Sequence, residues 1–483
     1  MMGPPEKQNT MPRRSLSSIL LNRSKRTTLQ SQLYAALRAA LTSGALQAGD
    51  AVPSSRDLAL DLHVSRNTVI ATYDQLIGEG YLEARPRAGL FVNAALVQPA
   101  TVSPGAAKTP AARPPSPRPP AGPRPFRPCQ PDVRLFPLAL WNRLRSRAIR
   151  ANGTALLHYQ PHAPLGLPAL QRSLAEYLRD SRGVRCAWQQ VAVTTGSQQA
   201  LYLLAQLLIK PGSAVLMEDP GYFGARLAFQ QAGAAIRPAP VDAEGLIPPG
   251  HDGTEARLIY TTPSRQFPTG ACLPVARRLA LVEWARKAKA WIIEDDYDSE
   301  FRYSRPPLPS LHSLDTTGRV IYIGSMSKVL LPALRIGYLV LPEALLDSFA
   351  ELRTTVDDHG PTIDQATLAD FIASGAFYTH IRRCRKEYGV RQETFLTAAQ
   401  GIGWPLTFPH VDGGMNLTGF LAPGADDLTP SMALTHAGLD VPPLSRYAIS
   451  ATQRGLVFGF TAFDPAAIRA ALKRAALHWP APR

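Results

Sequence analysis

The segment G-S-M-S-K-V-L-L-P-A-L-R, residues 324–335, places Lys328 directly behind two serine hydroxyls and seven residues ahead of Arg335. The apolar run Val320–Ile323 precedes it, so the lysine falls where a strand gives way to a helix. A lysine amine condenses with an aldehyde to a Schiff base. Ser325, Ser327 and Arg335 can hold a phosphate on the same ligand. A phosphorylated aldehyde anchored at Lys328 is the reading that decides the fold.

Moving outward, the same strand-then-polar-turn pattern recurs in VAVTTGSQQALYLLAQLL (191–208), AVLMEDPGYFGAR (214–226), RLIYTTPSRQFPTG (257–270) and WIIEDDYDSEF (291–301). Successive βα units of this kind predict an α/β body with a mainly parallel central sheet and ligand groups at the strand ends. The Gly196-Ser197-Gln198 turn opens a helix, and backbone N–H groups there suit a phosphate. Asp295 is the carboxylate for a pyridine nitrogen, which would keep that ring protonated as an electron sink. Tyr222, two residues past Pro220, is placed to stack on the ring.

This constellation resembles pyridoxal-phosphate enzymes of fold type I, the aminotransferase fold, over nearly all of residues 128–483. The resemblance rests on S-x-S-K (325–328) with Arg335, E-D-D-Y-D-S-E-F (294–301), T-P-S-R-Q-F-P-T-G (262–270), D-P-G-Y (219–222) and G-S-Q-Q-A-L (196–201). It implies pyridoxal 5'-phosphate as cofactor and Lys328 as the catalytic residue, its aldimine lysine. It further implies Asp295 at the ring nitrogen and Tyr297 at the ring oxygen. Ser197, Gln198, Ser325, Ser327 and Arg335 would surround the phosphate. Arg446, in PPLSRYAIS (442–450), sits where the fold clasps a substrate carboxylate in a bidentate fork, with plain surface charge or an interdomain ion pair as the alternative. One departure stands out: Phe267 occupies the place of the asparagine of N-P-T-G, and Gln266 or Arg265 are the neighbouring candidates for its lost hydrogen bond.

The 483 residues are too many for one ordinary core, and the formal net charge of +15 is unevenly spread. Residues 1–131 hold 16 Lys/Arg against 7 Asp/Glu, which makes the front end the candidate polyanion binder. From Pro99 to Pro128 there are eleven prolines and five basic residues in thirty positions, the composition of a stiff, extended linker. The expected organisation is multidomain: a basic disordered arm at 1–26, a DNA-binding domain at 27–96, a proline-rich linker at 97–127 and the aminotransferase-like body at 128–483.

In the front module Leu29, Leu33, Leu37 and Leu41 recur every fourth residue and Ser43-Gly44 closes the run, an amphipathic helix with a glycine stop. Ser54 or Ser55 can cap a second helix with Leu58 and Leu62 inward, and Ser65 a third with Val69, Tyr73, Leu76 and Ile77 inward. Two short capped helices joined by a tight turn form a helix-turn-helix, for which a small helical docking domain is the plainer alternative. Ser65, Arg66, Asn67 and Thr68 then lie on the first turn of a recognition helix, and Arg56 is placed to grip a phosphate. YLEARPRAGLFV (81–92) reads as a β-hairpin wing around Arg85, Arg87 and Gly89. G-x-L-x-x-G-x-x-x-P-S-S-R-x-L-A (44–59), V-S-R-N-T-V (64–69) and E-G-Y-L (79–82) resemble the winged helix-turn-helix of GntR-type regulators.

Joined by a linker, these halves resemble the MocR-type transcriptional regulators from about Thr27 onward. That resemblance implies a double-stranded DNA operator as partner, a small amino compound as effector bound by external aldimine formation, and a head-to-tail homodimer. Two rival readings remain: a working aminotransferase with a DNA-binding appendage, and a regulator that senses pyridoxal phosphate itself and governs vitamin B6 supply. The apolar run Ala200–Ile209 is about half of what a bilayer span needs, so a cytosolic bacterial protein is expected. Cys129, Cys186, Cys272 and Cys384 show no C-x-x-C and no clustered histidines, so neither disulfides nor a metal site are expected.

Overall fold

The leucine repeat of the front module becomes helix α1 (Leu29–Thr42), capped by the Thr28 hydroxyl and buried through Leu33 and Leu37. A computed structural model of the chain describes residues 19–24, 27–95, 124–250, 256–304 and 308–480. The chain divides into two compact units, residues 1–118 and 119–483. Most of the expected basic arm and of the proline-rich linker lies outside the described residues.

Of the two serines able to cap α2 (Ser55–Asp61), Ser54 does so, its hydroxyl accepting from the Asp57 N–H. Ser65 caps α3 (Arg66–Gly78) by accepting from the Thr68 N–H at 3.1 Å. Leu58, Val69, Tyr73 and Leu76 meet Leu33 and Leu37 in one core. The buried Tyr73 hydroxyl donates to the Pro53 carbonyl at 2.9 Å and the buried Thr72 hydroxyl to the Thr68 carbonyl at 2.8 Å, so both are satisfied. Strands β1 (Leu82–Arg85) and β2 (Gly89–Val92) then pair antiparallel with Arg85 opposite Gly89.

The body is built on strands β3 (Val191–Thr194), β4 (Ala214–Asp219), β5 (Ala235–Asp242), β6 (Gly245–Leu246), β7 (Leu258–Thr261), β8 (Trp291–Asp296), β9 (Val320–Ser325) and β10 (Gly337–Val340). They form one sheet in the order β3-β10-β9-β8-β7-β4-β5-β6. Strands β9, β8, β7, β4 and β5 run parallel, and β10 lies antiparallel between β9 and β3. Alternate residues face opposite layers, as a pleated strand requires. Met217, Tyr260, Ile293 and Ile323 join the core that holds Leu201 and Leu204 of helix α4 (Ser197–Leu208). Leu216, Ile259 and Ile292 join the core that holds Leu281 and Trp284 of helix α5 (Val275–Ala288). With both faces covered, the inner strands β4, β7, β8 and β9 are almost wholly apolar until their last residues. The polar ends Thr194, Asp219, Thr261, Asp296 and Ser325 gather along one edge.

A second, two-stranded sheet, β11 (Asn416–Phe420) with β12 (Gly455–Gly459), packs near the 25-residue helix Ala376–Gln400 in the largest core. Phe126 belongs to that core: it is 2 % exposed, bridges Gly459, and sets its ring edge-on to Phe395 and Phe458 at 5.6 and 5.7 Å. The body's packing therefore starts ahead of the expected boundary at residue 128. All four cysteines are free thiols, and no helix among the described residues is long and apolar enough to cross a membrane.

Candidate functional site

At the polar edge of the large sheet, β9 ends at Ser325 and a single helical turn, Met326–Val329, carries Lys328. Its Nζ donates to the Cys129 carbonyl at 3.3 Å. Lys328 lines a cavity of about 450 Å³ together with Asp295, Tyr297, Tyr222, Ser197 and Arg446. Ser197, Tyr222, Asp295, Tyr297 and Lys328 meet because the strands that carry or precede them end on the same edge, while Arg446 comes from the short helical turn Leu444–Tyr447.

Asp295 shares the pleat face of Ile293 on β8, and on neighbouring β7 Tyr260 shares it too, so the Tyr260 hydroxyl donates to Asp295 Oδ2 at 2.8 Å. The other oxygen, Oδ1, is buried with no partner. Burial raises the Asp295 carboxyl to about 7, against the Tyr260 bond and the Lys328 charge, which pull it down. The Tyr297 hydroxyl and Ser327 Oγ are likewise buried and unpartnered. Burial holds the Tyr297 phenol well above its ordinary value. It also pushes Tyr222 up to about 12. The Phe267 ring stands edge-on to Tyr222, Tyr297 and Tyr447 at 5.9, 5.8 and 5.1 Å and makes this wall apolar.

The anion end is the start of α4, where no side chain caps the first N–H groups. Gly196 has φ +84°, and a Cβ there would lie 2.9 Å from Arg335 Nη2. Arg335, itself left-handed at φ 52°, donates to the Thr195 carbonyl at 3.0 Å. Helix dipole, free N–H groups and a guanidinium converge on a point beside Ser197.

In the front unit, Arg56 and Asn67 are exposed, and their side chains make no hydrogen bond or ion pair among the described residues. Arg66 Nε reaches Ser55 Oγ at 3.3 Å, and the Ser65 and Thr68 hydroxyls lie 2.8 Å apart within the cap. Arg85 pairs with Glu83 at 2.6 Å and lies 4.5 Å over the Phe91 ring. Arg87, at φ 62°, occupies the tip of the turn, which Gly89 closes at φ 111°.

Residues 29–92 match the bacterial regulatory proteins of the gntR family, and residues 141–447 match aminotransferase class I and II. The chain is 39 % identical over 466 residues to the probable rhizopine catabolism regulatory protein MocR of Rhizobium meliloti, covering 93 % of this chain and 94 % of that protein. The chain belongs to the MocR-type transcriptional regulators. Another relative is the pyridoxine biosynthesis transcriptional regulator PdxR of Corynebacterium glutamicum, 33 % identical over 93 % of this chain and 96 % of its own length. Among solved structures, an archaeal alanine:glyoxylate aminotransferase superposes with a TM-score of 0.68 at 27 % identity, over 74 % of this chain and 90 % of that one. The α-aminoadipate aminotransferase LysN of Thermus thermophilus, solved with N-(5'-phosphopyridoxyl)-L-leucine, gives 0.66 at 28 % identity, over 73 % and 91 %.

The MocR-type architecture implies DNA binding through the front unit and pyridoxal phosphate in the body. The cavity fits that cofactor on its own terms. An amine, an open carboxylate oxygen, an open phenol and an uncapped helix start with an arginine are the complements of an aldehyde, a pyridine nitrogen, a ring hydroxyl and a phosphate.

Some expected roles are redrawn. The Gln198 amide is committed to the Gly224 carbonyl at 2.9 Å and to the Tyr222 hydroxyl at 3.2 Å, so only its backbone N–H is left for an anion. Neither candidate replaces the missing asparagine. Gln266 spends its amide on Pro220 O, Phe267 O, Glu218 and Thr269, while Arg265 turns away to the Gly413 and Asn416 carbonyls and to Asp298. Both are buried and spend their polar atoms on protein partners. Tyr260 and the Cys129 carbonyl were not anticipated. Tyr260 was open to detection, since it shares the alternation that puts Asp295 inward, but the Cys129 contact depends on a fold-back no local pattern encodes.

Proposed function

We propose that this regulator holds pyridoxal phosphate at Lys328 and reads a small amino compound there, the amine in the site setting how its winged helix binds an operator. The observation that carries the reading is the set of buried, partnerless atoms around one lysine: Asp295 Oδ1, Tyr297 Oη and Ser327 Oγ. Each such atom costs the protein its hydration, a cost that a ligand reaching into this cavity would offset.

When bound, pyridoxal phosphate supplies an aldehyde that captures amines and a ring that withdraws electrons. The chain's residues do the rest. Asp295, oriented by Tyr260, holds a proton at the ring nitrogen through Oδ1, and Tyr297 donates to the ring oxygen. Ser197, Ser325, Ser327, Arg335 and the Gln198 N–H bind the phosphate. Tyr222 would stack on the ring, and Phe267 would help to keep water out of the cavity. Arg446, exposed at the cavity mouth with no ion pair among the described residues, takes the acidic group of the amino compound.

At the other end Ser65, Arg66, Asn67 and Thr68 present the first turn of α3 to the major groove. Arg56 and the wing residues Arg87 and Gly89 contact the backbone, while Arg85 beside them stays paired with Glu83. A head-to-tail homodimer would offer two such readers to paired half-sites. The effector acts only through its difference in affinity for two states of the body.

The test joins absorbance with DNA binding. Lys328→Ala should abolish the visible absorption band of the reconstituted protein and the response of operator affinity, measured by fluorescence anisotropy, to amino acids. An unchanged spectrum sinks the reading. Steady amino transfer at about 1 per second or faster would favour a working aminotransferase instead. A response to cofactor alone would favour a sensor of pyridoxal phosphate.

A further inference from the structure

We propose that Arg127 is a second specificity-determining residue of the sensing cavity, and that the site selects amino acids with a second carboxylate, of the aspartate and glutamate class. This rests on the reading of the Lys328 cavity as the effector site. The charged groups lining that cavity are Lys328, Asp295, Arg446, Arg127 and Asp440. The first two are committed to the cofactor, which leaves two guanidiniums and one carboxylate to face the amino compound. Arg446 takes one anionic group.

Arg127 has the capacity to take the other. Its Nε lies 3.8 Å from Asp440 Oδ2, a Coulombic contact too long for a hydrogen bond, so among the described residues all five of its N–H donors stay open. Both side chains are partly in solvent, at 58 % and 39 % exposure, where such a pair is weak and readily surrendered to a better-placed anion. The base of the side chain is fixed. The Gly459 N–H donates to the Phe126 carbonyl at 2.7 Å, the Asp440 N–H donates to the Pro125 carbonyl at 2.8 Å, and a Cβ on Gly459 would meet the Arg127 carbonyl at 2.0 Å. A guanidinium mounted on a rigid segment discriminates by position, as a mobile surface arginine does not. Asp440 adds the selectivity: it offers a neutral side chain nothing and yields its place only to another carboxylate.

The test titrates cofactor-loaded protein with L-glutamate, L-aspartate and L-norvaline, reading the cofactor's absorption and operator affinity together. Norvaline matches the glutamate side chain in length and lacks its charge. Glutamate should bind at least about tenfold more tightly than norvaline. Arg127→Gln should bring that ratio close to one, with Arg127→Lys between, while Arg446→Gln weakens both ligands and Asp440→Asn strengthens glutamate. An Arg127→Gln protein that keeps the wild-type ratio, or loses both ligands equally, overturns the assignment of Arg127 and leaves the cofactor reading standing. If none of the three amino acids perturbs the wild-type spectrum, this inference falls, while the cofactor reading is decided by the Lys328→Ala spectrum.

Discussion

The two units handle their functional atoms in opposite ways. In the front unit Arg56, Asn67 and Arg87 stand in solvent around a core that is complete without them, Tyr73 included. In the body Asp295, Tyr297 and Ser327 are inside, stripped of water and left with open valences. Exposed polar groups cost a fold almost nothing, whereas buried open ones cost it stability until a ligand arrives. The front unit's core is therefore complete by itself, whereas the body carries buried open groups whose cost a bound ligand would offset.

The contrast breaks most readily at Asp295. Burial lifts its carboxyl to about 7 in the cofactor-free fold, above the unfolded value near 3.8, so the folded chain binds more protons than the unfolded chain in between. The Asp295 contribution to stability is then full below about pH 4 and is lost as pH rises through about 7, with Asp298, also raised to about 7 by burial, adding a slope of the same sign. Asp295→Asn should flatten that fall and make the cofactor-free protein more stable at alkaline pH by up to about 4 kcal/mol, while cofactor capture weakens. Thermal melts of cofactor-free protein across that range provide the check. A variant that melts no higher than the parent above pH 7 would mean that the open valence costs nothing.

A second experiment sharpens the comparison from the other side. Leu58 is fully buried in the small core of the front unit, and Leu58→Ala should cost about 3 kcal/mol there. A core built from so few residues has little stability to spare. Operator binding should disappear while the absorption spectrum of the cofactor-loaded body stays as it was. Loss of both would show that the units depend on each other to fold.

The same contrast explains what could be read without coordinates. The module is made of local signals: leucines four apart, serines ahead of helices, glycines behind them. The structure realises Leu33, Leu37, Ser65 and Gly44 in those capacities. In the body the strand ends and Lys328 were legible, because an apolar run that stops at a polar turn is also local. Partners were not. That Tyr260 meets Asp295 follows from β7 lying beside β8, and that Lys328 meets the Cys129 carbonyl follows from a contact across 199 positions. Gln266 was misjudged for the same reason, since Glu218 and the Pro220 carbonyl compete for it from another strand and its turn. Phe126 was assigned to the linker because a proline-rich composition cannot reveal that one aromatic within it is a core residue.

The smallest expected effect tests whether exposure in the wing means availability. Arg85 and Arg87 carry the same charge two residues apart, yet Arg85 is bound by Glu83 through two donors, at 2.8 and 2.6 Å, and lies over Phe91. Arg87 sits at the turn with no ion pair among the described residues. The dependence of log affinity on log salt counts the phosphates neutralised. Arg87→Ala should lower that slope by about 1 and weaken binding uniformly across operator sequences. Arg85→Ala should leave the slope nearly unchanged. Glu83→Gln should release Arg85 to the backbone and raise the slope by about 1. Equal slopes for both arginine variants, with no gain on removing Glu83, would show that DNA pulls Arg85 free of its pair. Solvent exposure would then be the sole property that decides which wing residues bind.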